Sequence, residues 1–289
     1  MSSDQLLEKV KQLREITGVG FKDCKAAIDE TKGDIDKAID LLRTKGIAKA
    51  NKRMSRTASE GLISIFEKNN KFSMIEINSE TDFVAKNSEF IKFTEEISEL
   101  STTTSGELNE ILECKMKNNK KVKDCLVDLI SKIGEKITLR RSIVFENNEN
   151  ICFSYVHSSI KKNIGKLGVL VILRAGKKND ELMNLGKQLT MQVAATSPLA
   201  IDKDTLDNKI IEKEKQIISE ELKNTGKDNK IIEKIAMGKL NKFINENTLL
   251  NQEWIMEPKK KVKDILNEFS KKNKVEIKKF IRFKVGEGL

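Results

Sequence analysis

Aromatic side chains are scarce in this chain of 289 residues, at 5% of the sequence with one Trp and one Tyr. That leaves few platforms on which unstacked bases could lie, and no aromatic RNA-binding motif is present. Histidine occurs once, at His157, and the cysteines Cys24, Cys114, Cys125 and Cys152 stand far apart with no C-x-x-C pair. A Cys/His zinc site needs ligands in close pairs, so no metal is expected, and scattered free thiols suit a reducing compartment. No stretch approaches the ~20 apolar residues of a membrane span. The start, Met1-Ser2-Ser3-Asp4-Gln5, lacks the basic segment and apolar core of a signal peptide. A soluble, cytoplasmic protein that does not contact membranes is expected.

Signatures of catalysis are missing as well. There is no G-x-x-x-x-G-K-[ST] loop, no G-x-G-x-x-G fingerprint and no G-x-S-x-G elbow. Carboxylates are plentiful, yet none forms a recognisable metal-binding or acid/base pair. A non-enzyme with no cofactor is the expectation. What the chain does have is charge: 54 Lys+Arg against 44 Asp+Glu, a net +10. Such a balance suits an acidic partner or a nucleic acid without choosing between them, and many of the lysines belong to a solvated surface.

The pattern along the chain predicts an α+β protein. Residues 1–55 read as a helical module. Leu6, Leu7, Val10, Leu13 and Ile16 form one stripe, Gly18 and Gly20 break it, and a second helix carries Cys24, Ala27 and Ile28. After Gly33-Asp34 a third helix turns Ile35, Ala38, Ile39 and Leu42 inward. From Lys45 to Ser59 the chain is basic, with Lys49, Lys52, Arg53 and Arg56, and reads as a linker. Strands over Leu62–Phe66 and Phe72–Ile77 flank a turn at Lys68-Asn69-Asn70-Lys71. Helices follow over Phe83–Leu100, Leu108–Lys117 and Val122–Glu135. A second hairpin-then-helix block uses Ile151–His157, Leu167–Arg174 and Asp180–Ala195, which suggests two related lobes. Two charged helices, Lys209–Lys223 and Lys230–Asn245, joined around Gly226, read as a protruding antiparallel pair. Ile210, Ile211, Ile217, Ile218 and Leu222 would face Ile231, Ile232, Ile235 and Leu240. A helix over Val262–Phe269 and a strand over Val275–Val285 close the chain. Four segments result: 1–55, 56–145, 146–200 with 248–289, and 201–247.

The segment Asn78–Asn87 stands where a strand gives way to a helix. Ser79 and Asp82 fit the capping pattern [ST]-x-x-[DE]. On local pattern alone Asp82 is a helix-start carboxylate and Phe83 a packing residue at the junction. Yet Thr81-Asp82-Phe83-Val84-Ala85-Lys86-Asn87 resembles the signature of the bacterial elongation factor Ts family. The resemblance recurs in order at Leu13–Gly18, at Asp23-Cys24-Lys25 with Ala27, and at Gly33-Asp34-Ile35. Further along it takes in Lys132-Ile133-Gly134-Glu135, Arg140-Arg141, Met256-Glu257-Pro258 and Phe280–Gly288.

That resemblance implies a start module like the ubiquitin-associated fold, paired core lobes, and a coiled coil over 201–247 that in some members mediates self-association, so a homodimer is one expectation. It implies a guanine-nucleotide exchange factor for elongation factor Tu that binds the GDP-bound and nucleotide-free forms. Asp82 and Phe83 would intrude beside the Mg²⁺ site of that GTPase, Phe83 as a wedge. Thr81, Val84, Ala85, Lys86 and Asn87 would shape the corner, and His157 would be a secondary contact. Many members continue past the Val-Gly-Glu-Gly block into a further helix, and this chain stops at Leu289, so contacts made by that helix are expected to be absent. Direct nucleic-acid binding is not expected. Two alternatives stay open: a basic ribosome- or RNA-associated protein without exchange activity, and a start module that binds peptides generally.

Overall fold

In the computed structural model, residues 3–146, 150–176, 178–223, 228–271 and 274–289 are described. They divide into two compact units, one of residues 1–146, 158–167 and 283–289 and the other of residues 147–157 and 168–282. Residues 158–167 and 283–289, drawn from the sequence into the second lobe or its connections, therefore cluster with the first unit. The fold is α+β.

The first unit begins with three helices, α1 (Ser3–Thr17), α2 (Phe21–Glu30) and α3 (Ile35–Arg53). Val10, Leu13, Cys24, Ala27, Ile28, Ala38 and Leu42 make their shared core, with Leu6, Ile35 and Ile39 packed against it. Leu7 and Ile16, which the pattern places in the same stripe, stand exposed. The basic segment after Lys45 is not a linker, because α3 runs on through Arg53. It is held by small residues that carry no hydrophobic signal. Ala50 is buried in the core of the following subdomain. A Cβ at Gly46 would stand 2.4 Å from the hydroxyl of Ser131. Arg53 then donates to the Ile130 carbonyl at 2.9 Å. The side chains of Lys49 and Lys52 lie outside the described residues.

Strands β1 (Glu60–Lys68) and β2 (Lys71–Ser79) pair antiparallel, with Lys68 opposite Lys71. Asn69 and Asn70 both take positive φ, 49° and 65°, as a two-residue hairpin turn requires. A third strand, β3 (Ile137–Glu146), pairs with β2, and a short one, β5 (Ile164–Gly165), borders β1, giving the order β3-β2-β1-β5. β3 was not read from the sequence, since Arg140-Arg141-Ser142 interrupts its apolar run. The tertiary structure accommodates those arginines through a bulge. The register slips between Glu76 and Ile77, so that Arg141 pairs with Glu76 and Leu139 with Ile77. Arg140 and Arg141 can then both reach one side chain. Helices α5 (Ser88–Ser101), α6 (Leu108–Glu113) and α7 (Val122–Ile133) cover the sheet. Phe90, Phe93, Ile97, Ile111, Val122 and Ile130 pack there with Leu62, Ile75, Ile77 and Ile137. The helix expected from Leu108 is shorter than predicted and ends at Glu113.

In the second unit, β4 (Ile151–His157), β6 (Leu167–Ala175) and β9 (Val275–Lys284) form a sheet of order β4-β6-β9; β6 begins, and β9 ends, in residues of the first unit. β6 is buried from Leu167 to Leu173, which explains its unbroken apolar run. Helix α8 (Asp180–Thr196) packs on β4, and a Cβ at Gly186 would run into the ring of Phe153 at 2.4 Å. Helices α9 (Asn208–Leu222) and α10 (Asn229–Asn247) pack together. Ile210, Ile211, Leu240, Phe243 and Ile244 meet with Ala200 and Leu206. Ile218 and Leu222 are buried, but Ile217 and Ile231, placed in the seam by the pattern, stand exposed. Ile218 and Leu222, four residues apart, share the buried face of α9, and Ile217 falls outside it. The join around Gly226 lies outside the described residues. A two-stranded ribbon, β7 (Glu253–Trp254) with β8 (Glu257–Lys261), was not read from the sequence; it leads into α11 (Val262–Ser270).

Candidate functional site

The corner after β2 is built by two short-range competitions. The expected cap does not form: Ser79 donates its hydroxyl to the Thr81 carbonyl at 3.0 Å, and the N-cap is Thr81, whose side chain makes no cap bond. The helix that starts there, α4 (Asp82–Ala85), lasts four residues. It stops because Asn87 starts its own helix, accepting from the N–H groups of Glu89 at 2.8 Å and Phe90 at 3.3 Å. The single helix predicted from Phe83 is therefore two, with the corner on the first.

On that one turn, Val84 and Ala85 are buried and join the sheet–helix core. Their inward direction sends Phe83 outward, and its ring is 78% exposed, the largest exposure among the large hydrophobic residues described. The packing role read from local pattern is overturned. Asp82, beside it, accepts a hydrogen bond from Lys86 at 2.7 Å across one helical turn. That bond from the ammonium holds the carboxyl below the ordinary aspartate range, with a smaller pull from Lys166. The corner thus presents an ionised carboxylate and a bare aromatic ring side by side.

Its support comes from segments distant in sequence. Glu135 accepts from the Thr81 backbone N–H at 2.9 Å and from the Thr81 hydroxyl at 2.8 Å. Glu80 accepts from the Lys136 N–H at 2.6 Å and pairs with Arg56 at 3.2 Å. Burial alone would raise the Glu80 carboxyl; these donors outweigh it and lower it. Earlier on β2, Glu76 is fully buried. It accepts from Arg140 at 3.0 Å, Arg141 at 2.5 Å, Asn78 at 3.0 Å and the Gly286 N–H at 2.9 Å. The guanidinium of Arg141 also lies 4.1 Å from the centroid of the Phe283 ring. Residues of blocks that look independent in the sequence thus meet in the first unit, Glu135 at Thr81, and Arg140, Arg141 and Gly286 at Glu76. Glu76, Glu80 and Lys136 carry no local pattern that would have singled them out.

His157 ends β4 in the second unit, exposed, with its Nδ1 2.9 Å from the Tyr155 hydroxyl. Among the described residues no group of three or more His, Cys, Asp or Glu could hold a metal ion, and no helix is long and apolar enough to cross a membrane.

The corner thus carries an exposed ring and a charged group on a turn bonded to distant segments, and comparison with known proteins gives the family. Residues 80–287 match the family model described as Elongation factor TS. The chain is 39% identical over 280 residues to Elongation factor Ts of Gluconobacter oxydans (strain 621H), covering 97% of this chain and 91% of that protein. It is 41% identical over 283 residues to the Elongation factor Ts proteins of Rhizobium meliloti (strain 1021) and Methylorubrum extorquens (strain PA1), covering 97% of this chain and 92% of each. The chain belongs to the elongation factor Ts family, the translation elongation factors that the sequence blocks resemble.

Proposed function

We propose that the protein is a guanine-nucleotide exchange factor for elongation factor Tu, binding its GDP and nucleotide-free forms and promoting GDP release so that GTP can rebind. The observation that carries this reading is the exposure of Phe83 beside ionised Asp82 on a turn whose other side chains are buried. Such a factor makes and breaks no bond. It binds the GTPase better when the nucleotide is absent, and by reciprocity it weakens nucleotide binding by the same factor. The partner holds its nucleotide through a phosphate loop and Mg²⁺. Phe83 inserts beside that site, and burying the ring is worth roughly 1.5–3 kcal/mol. Coupled to closure of the phosphate loop, that amounts to one or two decades of nucleotide affinity at about 1.4 kcal/mol each. Asp82 disturbs the polar network around the partner's Mg²⁺ and phosphates.

The start bundle grips a second face of the GTPase and keeps the wedge at high effective concentration. Leu7, Ile16 and Phe21, exposed on α1 and α2, support that reading. His157 is a secondary contact. The test is release of labelled GDP from elongation factor Tu by catalytic amounts of protein. Phe83→Ala and Asp82→Ala are expected to slow it by one to two decades together, and Ile16→Ser with Phe21→Ser to raise the concentration of factor needed. Unchanged release with both corner variants removes the wedge from the mechanism. RNA binding with a steep salt dependence and no exchange would favour the RNA-associated alternative instead.

A further inference from the structure

Asp82 and Phe83 ride on a helix of four residues. One turn has too few internal hydrogen bonds to fix its own position. Burial of Val84 and Ala85 sets its inward face, and a crossed pair of carboxylates holds its leading end. Glu135 takes both donors of Thr81, the backbone N–H at 2.9 Å and the hydroxyl at 2.8 Å. In the opposite direction Glu80 takes the Lys136 N–H at 2.6 Å. Two adjacent residues of one segment thereby exchange carboxylate–amide bonds with two adjacent residues of another, 54 and 56 positions away in sequence. Such bonds to a charged acceptor are short and directional.

The surroundings lock the clamp. Gly134 ends α7 with φ 91°, a left-handed turn that places Glu135 at the corner. The Lys136 ammonium donates to the carbonyls of Met54 and Arg56, each at 2.7 Å, and Arg56 in turn pairs with Glu80.

We infer that Glu135 is a positioning residue for exchange: through Thr81 it sets the place and angle from which Phe83 enters the partner, without touching the partner itself. The inference rests on the reading of Asp82 and Phe83 as the exchange element. A preorganised wedge spends none of its contact energy on ordering its own turn. A loose one spends part of it, so the loss appears in the maximal rate of nucleotide release and not in the strength of docking, which the rest of the surface sets. Misplacement by about 1 Å costs at most on the order of 100-fold in comparable positioned systems.

The experiment compares Glu135→Gln, Thr81→Val, Thr81→Ser and Phe83→Ala in the full chain, measuring GDP release against the concentration of elongation factor Tu–GDP. Glu135→Gln and Thr81→Val are expected to lower the maximal release rate roughly three- to thirtyfold with the half-saturating concentration within about twofold. Thr81→Ser keeps both donors and is expected to retain the wild-type rate. Hydrogen exchange should show the Thr81 amide opening faster in Glu135→Gln while α5 and β2 stay protected. Should Glu135→Gln unfold the subdomain, Thr81→Val, which leaves the carboxylate and the fold's apolar contacts in place, decides the matter. Loss of exchange in Phe83→Ala with wild-type maximal rates in both clamp variants overturns the clamp alone. Wild-type exchange in Phe83→Ala overturns the underlying reading, and the clamp with it.

Discussion

Glu76→Gln is the substitution that most directly tests how the tail is held to β2 and β3. The side chain is fully buried, and its two oxygens accept from two guanidinium groups, one amide and one backbone N–H. Glutamine preserves the shape and one acceptor. Its new NH₂ group must face a donor, either Nε of Arg141 or the cluster formed by Arg140, Asn78 and Gly286. Removing one partner from a buried ion pair costs about 3–5 kcal/mol, because the remaining charge is left uncompensated. Here Arg140 and Arg141 are 19% and 30% exposed, so water recovers part of their hydration. The expected loss is therefore about 2–4 kcal/mol, confined to the strands the network joins. Trp254, the one tryptophan, belongs to the second unit and does not report on this region. The suitable assay is hydrogen exchange in peptides covering β2 and β3. At about 1.4 kcal/mol per decade, exchange there should accelerate by one to three decades. A change of less than about half a decade in both strands would refute the claim that this network, and not apolar packing alone, ties the tail to β2 and β3.

Two further outcomes follow from the same geometry. Gly286 has φ +74°, and a Cβ there would stand 2.4 Å from the Ser59 carbonyl oxygen. Gly286→Ala should therefore destabilise by roughly 1–3 kcal/mol and release residues 283–289 first, as read by their amide exchange. The Asp82 carboxyl, lowered by the Lys86 ammonium, should titrate in an NMR experiment below an ordinary aspartate, and Lys86→Met should move its midpoint up. Because its folded value is the lower one, any stability it contributes is present above the unfolded value and lost as pH falls through the folded value. Asp82 should thus stay ionised throughout the neutral range, and an unmoved midpoint in Lys86→Met would remove the Lys86 bond as the cause.

Several features were legible from local chemistry. The apolar positions of α1, α2 and the first half of α3, Leu7 and Ile16 apart, form the bundle core. The Asn69-Asn70 pair names its hairpin because asparagine tolerates left-handed backbone. The run Leu167–Leu173 names a strand buried on both faces. The word around Asp82 and Phe83 marked the corner. Where the reading failed, the local signal was opposed or absent. The second half of α3 is anchored by Gly46 and Ala50, whose value is their small size. β3 carries two arginines that are tolerable in a sheet only because Glu76, 64 and 65 residues earlier, is buried against them. Ser79 fits a cap pattern, but its hydroxyl donates to the Thr81 carbonyl instead.

The sequence by itself determined that this is a basic α+β member of its family, with an acid and an aromatic at the end of a strand. The direction of that aromatic was decided by tertiary structure. A short turn has two sides, and only the burial of Val84 and Ala85 against the sheet makes Phe83 the side that faces out. The bonds that tether the turn likewise come from Glu80 and Glu135 reaching across more than fifty residues. Contacts of that range depend on where the folded chain brings distant segments together, and no window of neighbouring residues encodes them.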